Sequence, residues 1–86
     1  MDIKFNNAVE ARKIVDNLRD QLKTIPYSKD LYKYLRNIDA LVTKISQEEV
    51  IARRNHYPIK AGPTHQKLAE SFDYLEKMIL LAKLLQ

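Results

Sequence analysis

The chain of 86 residues has no cysteine, no tryptophan, a single glycine, three prolines and two histidines. Without cysteine there is no disulfide framework, no thiolate nucleophile and no Cys/His zinc site. A lone Gly62 leaves no phosphate-cradling loop, and there is no H-E-x-x-H spacing. The longest strongly apolar run, residues 78–82, is far short of the roughly 18 residues that span a bilayer. Residues 1–7 contain no signal-peptide core. The expectation is a soluble, unsecreted, cytoplasmic chain. Two domains would each fall near the limit of about 40 residues below which disulfides, a metal or a partner are needed, so residues 1–86 are expected to form one domain.

What is present is apolar side chains, 45% of the total, in helical register. Ala8, Ala11, Val15, Leu18, Leu22 and Ile25 recur at threes and fours, which places them on one face of a first helix. Asn7 with Glu10 reads as a capping box at its start. Pro26 disfavours a helical Ile25, and Ser28 can then cap a second helix. The short turn makes these two helices antiparallel neighbours. The second helix carries Leu31, Leu35, Ile38, Val42 and Ile45, widened by Tyr34 and Leu41. Its phase then breaks: the repeat would continue to Glu49 and Ala52, whereas the apolar residues are Val50 and Ile51. Two readings compete. Ser46 with Glu49 forms a second capping box and starts a fresh turn, or the helix runs straight to about Arg54 with Val50 and Ile51 beside the seam; the straight helix is the favoured expectation.

A third helix opens at Gly62-Pro63, since proline at the first helical position sacrifices a donor that would be unpaired anyway. Leu68, Phe72, Leu75, Ile79 and Ala82 form its seam. The expected fold is therefore an all-α, antiparallel three-helix bundle with helices at about 7–25, 29–54 and 63–86. Residues 78–85 are apolar except for Lys83, more than one buried face can absorb. The linker, a second copy of the chain or another protein are candidates to cover Met78, Leu81 and Leu85, and a homodimer through the third helix is one form this would take.

The formal charge is +4, and it is local: Arg53, Arg54, Lys60 and Lys67 fall in a 15-residue stretch without a carboxylate, and the rest of the chain is balanced. The same stretch holds His56, His65 and Tyr57, so it combines cations, donors and a ring suited to phosphate or carboxylate contacts. Arg53 and Arg54 also suit the negative end of the second helix dipole. A second basic surface comprises Lys29, Lys33, Arg36 and Lys44, which fall within about 80° of one another opposite the second helix's apolar seam. On the first helix the charges alternate in sign and should pair locally. Among the five tyrosines, Tyr34 and Tyr74 lie near the apolar stripes as half-buried residues, while Tyr32 and Tyr57 are better placed for an interface.

Catalytic chemistry finds little purchase. His56 and His65 with Glu48 or Glu49 are the nearest approach to an acid-base or metal set, and nothing in their spacing singles them out. Leu35-Arg36-Asn37-Ile38-Asp39 resembles the L-R-x-I-D opening of the small helical chorismate mutases over five residues, but the further cations of that family do not follow at matching spacing. Arg54-Asn55 resembles the Arg-polar start of the HEPN ribonuclease motif, with Ile59 and Lys60 where its histidine would stand. No active-site residue carries over from either.

These features point to a non-enzymatic, cofactor-free interaction or regulatory module of inhibitor, immunity or adaptor type. It is similar to the bacteriocin immunity proteins in size and charge. Its expected docking surface joins the apolar third helix to the basic loop at Arg53, Arg54, His56, Tyr57, Lys60, His65 and Lys67. The alternative is a nucleic-acid-binding module that contacts phosphates through that loop and the Lys29, Lys33, Arg36, Lys44 face; no helix-turn-helix signature accompanies it.

Overall fold

Each helix begins where a side chain or a proline deals with an otherwise unpaired backbone donor. The computed structural model describes residues 4–58 and 62–86, and three helices account for most of them: α1 (Ala8–Leu22), α2 (Lys29–Arg54) and α3 (Pro63–Leu84). Asn7 accepts a hydrogen bond from the Glu10 N–H at 2.9 Å, and Ser28 Oγ accepts from the Leu31 N–H at 3.3 Å. The Glu10 carboxylate reaches back to Asn6 rather than Asn7, so the expected capping box is shifted by one residue on its return side. Pro63 opens α3 behind Gly62, without a side-chain cap.

The first helix is shorter than its periodicity implies. It ends at Leu22, and Thr24 Oγ1 donates to the Gln21 carbonyl at 2.7 Å, satisfying one of the last free acceptors. Ile25, held out of helical geometry by Pro26, is buried all the same. The third helix stops at Leu84, so Leu85 and Gln86 lie beyond it.

Helix α2 runs unbroken to Arg54, as the favoured straight-helix reading expects, but Val50 and Ile51 do not pack beside the seam. Glu49 stays on the seam and is buried, while Val50 and Ile51 face solvent at 45% and 54% exposure. The Glu49 carboxylate accepts from the Ala8 N–H with both oxygens, at 2.9 and 3.2 Å. It caps α1 from 41 positions away in the chain and brings negative charge to the positive end of that helix. Ser46 is exposed and lies within the continuous helix.

Helix α2 lies antiparallel to both neighbours, as the Ala8 to Glu49 and Arg12 to Asp39 contacts show for α1, and the Thr64 to Glu48 and Tyr34 to Tyr74 contacts for α3. The core is made by Val15, Leu18 and Leu22 of α1, Leu35, Ile38, Val42 and Ile45 of α2, and Leu68, Phe72, Leu75 and Ile79 of α3. Asp39 joins α1 to α2 through Arg12 and through Arg19 at 3.0 Å. Phe5, just ahead of α1, belongs to the core at 2% exposure, stacked on His65 and edge-on to Phe72. Its burial does not follow from any helical period.

At the far end of α2 the chain turns through an uncommon geometry. Asn55 is the C-cap, and His56 follows with φ of 59°, in the left-handed region. The His56 N–H bonds to the Arg53 carbonyl at 3.3 Å and the Tyr57 N–H to the Ala52 carbonyl at 2.8 Å, the paired bonds of a Schellman motif. Glycine usually occupies this position because a Cβ is strained there. His56→Gly is expected to stabilise the fold by about 0.5–1 kcal/mol, read as a rise in urea midpoint at unchanged slope. A fall would mean that the imidazole makes compensating contacts.

Candidate docking groove and basic surfaces

The register of α2 on α3 decides which apolar residues stay uncovered. Tyr34 packs on Tyr74 with ring centroids 4.9 Å apart, which sets the first residue of α2, Lys29, level with about Ile79 of α3. The last turn of α3 therefore overhangs the start of α2. Leu80, Leu81, Leu84 and Leu85 have outrun their packing partners and are exposed, Leu85 by 86%.

Within this overhanging half, Tyr74, Met78, Leu81 and Leu85 repeat at spacings of four, three and four. They form a second stripe, roughly 140° around α3 from its core-facing residues. The stripe makes one wall of an open groove of about 770 Å³. Ile25, Pro26 and Tyr27 of the α1–α2 turn close its end, and Leu31 and Tyr34 of α2 make the other wall. Tyr27 stacks on Tyr32 at 5.3 Å, bracing the turn. Tyr32, expected at an interface, is thereby half-buried against the core edge. Lys29, Lys33 and Lys77 are exposed and each adjoins a lining residue in sequence, and Asp30 is the one charged side chain in the lining itself.

The residues expected to act together are divided between the two ends of the molecule. Met78, Leu81 and Leu85 line the groove, whereas Arg53, Arg54, His56 and Tyr57 lie at the opposite end, beside the start of α3. The helical rise from Pro63 to Leu84 separates these ends by about 32 Å. The single surface joining apolar helix to basic loop is thus not assembled, because α3 leads away from the loop. Lys60 lies outside the described residues. Arg53 is exposed and folded back along its own helix, its Nε–H donating to the Glu49 carbonyl at 3.4 Å. Arg54, His56 and Tyr57 are exposed.

His65 is a correction: it is not a solvent-facing contact but a buried ring, 4% exposed and stacked on Phe5. Its first-turn position on α3 points it at the core side, and Nδ1 is buried without a partner. It lines a smaller hollow of about 260 Å³ with Glu48, Glu49, Ala52 and Tyr57. Of the acid-base set considered from sequence, His65, Glu48 and Glu49 share this hollow. Glu49 is committed to the Ala8 N–H, Glu48 accepts from Thr64 at 3.2 Å, and His56 is no part of the lining. Among the described residues no three His, Asp or Glu side chains cluster as metal ligands, and no helix is long and apolar enough to cross a membrane.

Lys67 is exposed beside α2, in a shallow hollow with Asn37, Leu41 and Ser71. Lys29, Lys33, Arg36 and Lys44 are all exposed on the outer face of α2. Asp39, the acid of the five-residue likeness to chorismate mutases, is occupied by Arg12 and Arg19.

Sequence reasoning missed the α1–α2 turn as part of the groove. The signals were present in Ile25-Pro26-Tyr27, three adjacent bulky residues at a turn, and in the second stripe on α3. What joins them is register between helices, which periodicity along one helix does not contain. No protein-family model matches the chain, and neither a curated protein nor a solved structure does.

Proposed function

We propose that this chain is a small non-catalytic docking module whose groove receives an amphipathic helix from another protein. The observation that carries the reading is the open apolar groove between the second stripe of α3 and the α1–α2 turn. A concave apolar trough with anchors at i, i+4, i+7 and i+11 fits the helix-in-groove mode of recognition.

Charge selects the occupant. Lys29, Lys33 and Lys77, each next in sequence to a lining residue, outnumber Asp30, so a helix with carboxylates beside its apolar face complements these surroundings. A second copy of this chain would bring the same lysines toward one another. The partner's chemistry is thus an acidic amphipathic helix, and the module would act by masking or bridging such a segment.

The test uses a designed helical peptide of about 18 residues, with leucines at i, i+3, i+4 and i+7 and glutamates on both flanks. Binding is read by fluorescence anisotropy, with light scattering for the oligomeric state. Micromolar binding is expected, weakened about 100-fold in the Leu81→Glu, Leu85→Glu double variant, whose helical circular dichroism should be unchanged. A lysine-flanked version of the peptide should bind more weakly. Equal affinity for both proteins would refute the groove as the site. A stable dimer that the double variant dissolves would assign the groove to a second copy instead.

A further inference from the structure

Helix α2 carries a cation pattern that the core does not use and that meets the groove only at its first two members, Lys29 and Lys33. Lys29, Lys33, Arg36, Lys44 and Arg54 project within about 80° of one another on its outer side, all exposed. Because α2 is continuous, Arg54 falls on the same line as Lys29, Lys33, Arg36 and Lys44, so one cation of the basic stretch at 53–67 joins the ridge. Arg53 points elsewhere, held on the Glu49 carbonyl. The ridge is about 38 Å long at the helical rise per residue. The nearest carboxylates on α2, Asp30, Asp39 and Glu48, sit about a quarter turn away. Asp39 is taken up by Arg12 and Arg19, and Glu48 accepts from Thr64.

This arrangement works against the helix that bears it. Lys29 and Lys33 at i and i+4, and Lys33 and Arg36 at i and i+3, are like-charge neighbours that weaken a helix. Lys29 also stands in the first turn of α2, at the positive and unfavourable end of its dipole, whereas Arg54 stands at the favourable end. Helix α1 shows the contrasting pattern, with Arg19 paired to Asp16 and Lys23 to Asp20. Among the described residues none of the five ridge cations forms an ion pair.

We propose that the ridge of Lys29, Lys33, Arg36, Lys44 and Arg54 binds the phosphodiester backbone of a nucleic-acid duplex. From Lys29 to Gln47 the ridge offers no large apolar residue between its cations, and the exposed Val50 and Ile51 interrupt it only between Lys44 and Arg54. That is too little apolar surface for a partner helix or a bilayer to bury along its length. Asn37 and Gln47 stand beside the cations, with side-chain amides that can donate to phosphate oxygens as the cations do, while the Thr43 hydroxyl donates to the Asp39 carbonyl at 3.1 Å. A single strand would be held by stacking in a groove, and this convex ridge carries no exposed ring. The match is to a stiff, regularly charged rod. Arg36 and Arg54 add two-pronged contacts to phosphate oxygens. The inference does not depend on the groove, which lies to one side of the ridge.

The experiment is fluorescence anisotropy of the whole chain with a labelled DNA duplex of about 24 base pairs, from about 50 to about 200 mM salt, repeated with an RNA duplex and a single strand. The dissociation constant of either duplex should rise with salt at a log–log slope of about 4 to 5, as five released counterions require. Single Lys33→Gln, Arg36→Gln and Lys44→Gln variants should each lower the slope by about one. The Lys13→Gln, Lys23→Gln double variant removes as much charge from α1 as any two of them, and should leave the slope unchanged. Absence of duplex binding at about 50 mM salt overturns the proposal. So does a single strand that binds as well, or a loss in the α1 variant equal to that on the ridge.

Discussion

Phe5→Ala is expected to lower the stability of the fold by about 3 kcal/mol and its melting temperature by roughly 15 °C, although Phe5 lies outside every helix. The ring is 2% exposed, parallel to His65 at 5.8 Å and edge-on to Phe72 at the same distance. Its removal takes away an aromatic side chain's burial and opens the His65 ring to water from above. It also loosens the segment that leads into Ala8, whose N–H is the donor to Glu49. Phe5→Leu keeps most of the volume and should cost less than about 1.5 kcal/mol. Thermal and urea denaturation followed by circular dichroism measure both. A loss below about 1 kcal/mol for the alanine variant would show that the N-terminal segment is not part of the core.

The second large effect is expected at Glu49. Truncation to alanine leaves the buried Ala8 N–H without an acceptor and removes a negative charge from the positive end of α1. A charge-assisted hydrogen bond of this kind is worth about 2–3 kcal/mol when only one partner is removed. Glu49→Gln retains an oxygen acceptor and should lose about half as much. Glu49→Leu fits the apolar seam in size but leaves the same donor unpaired, so it should be nearly as unstable as alanine. If leucine instead matches the parent protein, Glu49 is a seam residue that happens to be polar, and the cap is not what holds it. Phe5 stacks on His65, which lines one hollow with Glu49, so the double variant should lose less than the sum of the two single losses.

The contrast between these residues and the rest of the core marks what can be read from a sequence of this kind. The seams Ala11 to Leu22, Leu35 to Ile45 and Leu68 to Ile79 follow from spacing alone, because a helix repeats its faces every few residues. The Asn7 and Ser28 caps and the Pro63 start are equally local. Glu49 was legible only as an interruption: its partner is a backbone donor on another helix, and no window of α2 includes it. Val50 and Ile51 carry apolar side chains at positions that the α2 register turns to solvent. For the candidate site, Met78, Leu81 and Leu85 were legible as surplus apolar surface, whereas Tyr27 and Tyr34 acquired their place only when the Tyr34–Tyr74 contact set how far α3 overhangs. His65 misled for the opposite reason. Two residues after a proline in a basic stretch it reads as loop, yet the first turn of α3 directs it inward.

The Phe5 strap has a kinetic consequence. Most of the bundle joins helices adjacent in the chain across short connections, a topology that folds on the microsecond to millisecond scale. The Phe5 to Phe72 contact instead joins positions at nearly opposite ends of the sequence, and neither α1–α2 nor α2–α3 pairing requires it. Such a contact forms after the helical hairpins have met, since the long loop it closes gains nothing until they do. The stability it supplies would then be absent from the transition state. Loss of the ring should leave the refolding arm of a chevron nearly unmoved and raise the unfolding rate by about 100-fold. The N-terminal residue that contributes last to folding would thereby set how long each native molecule survives.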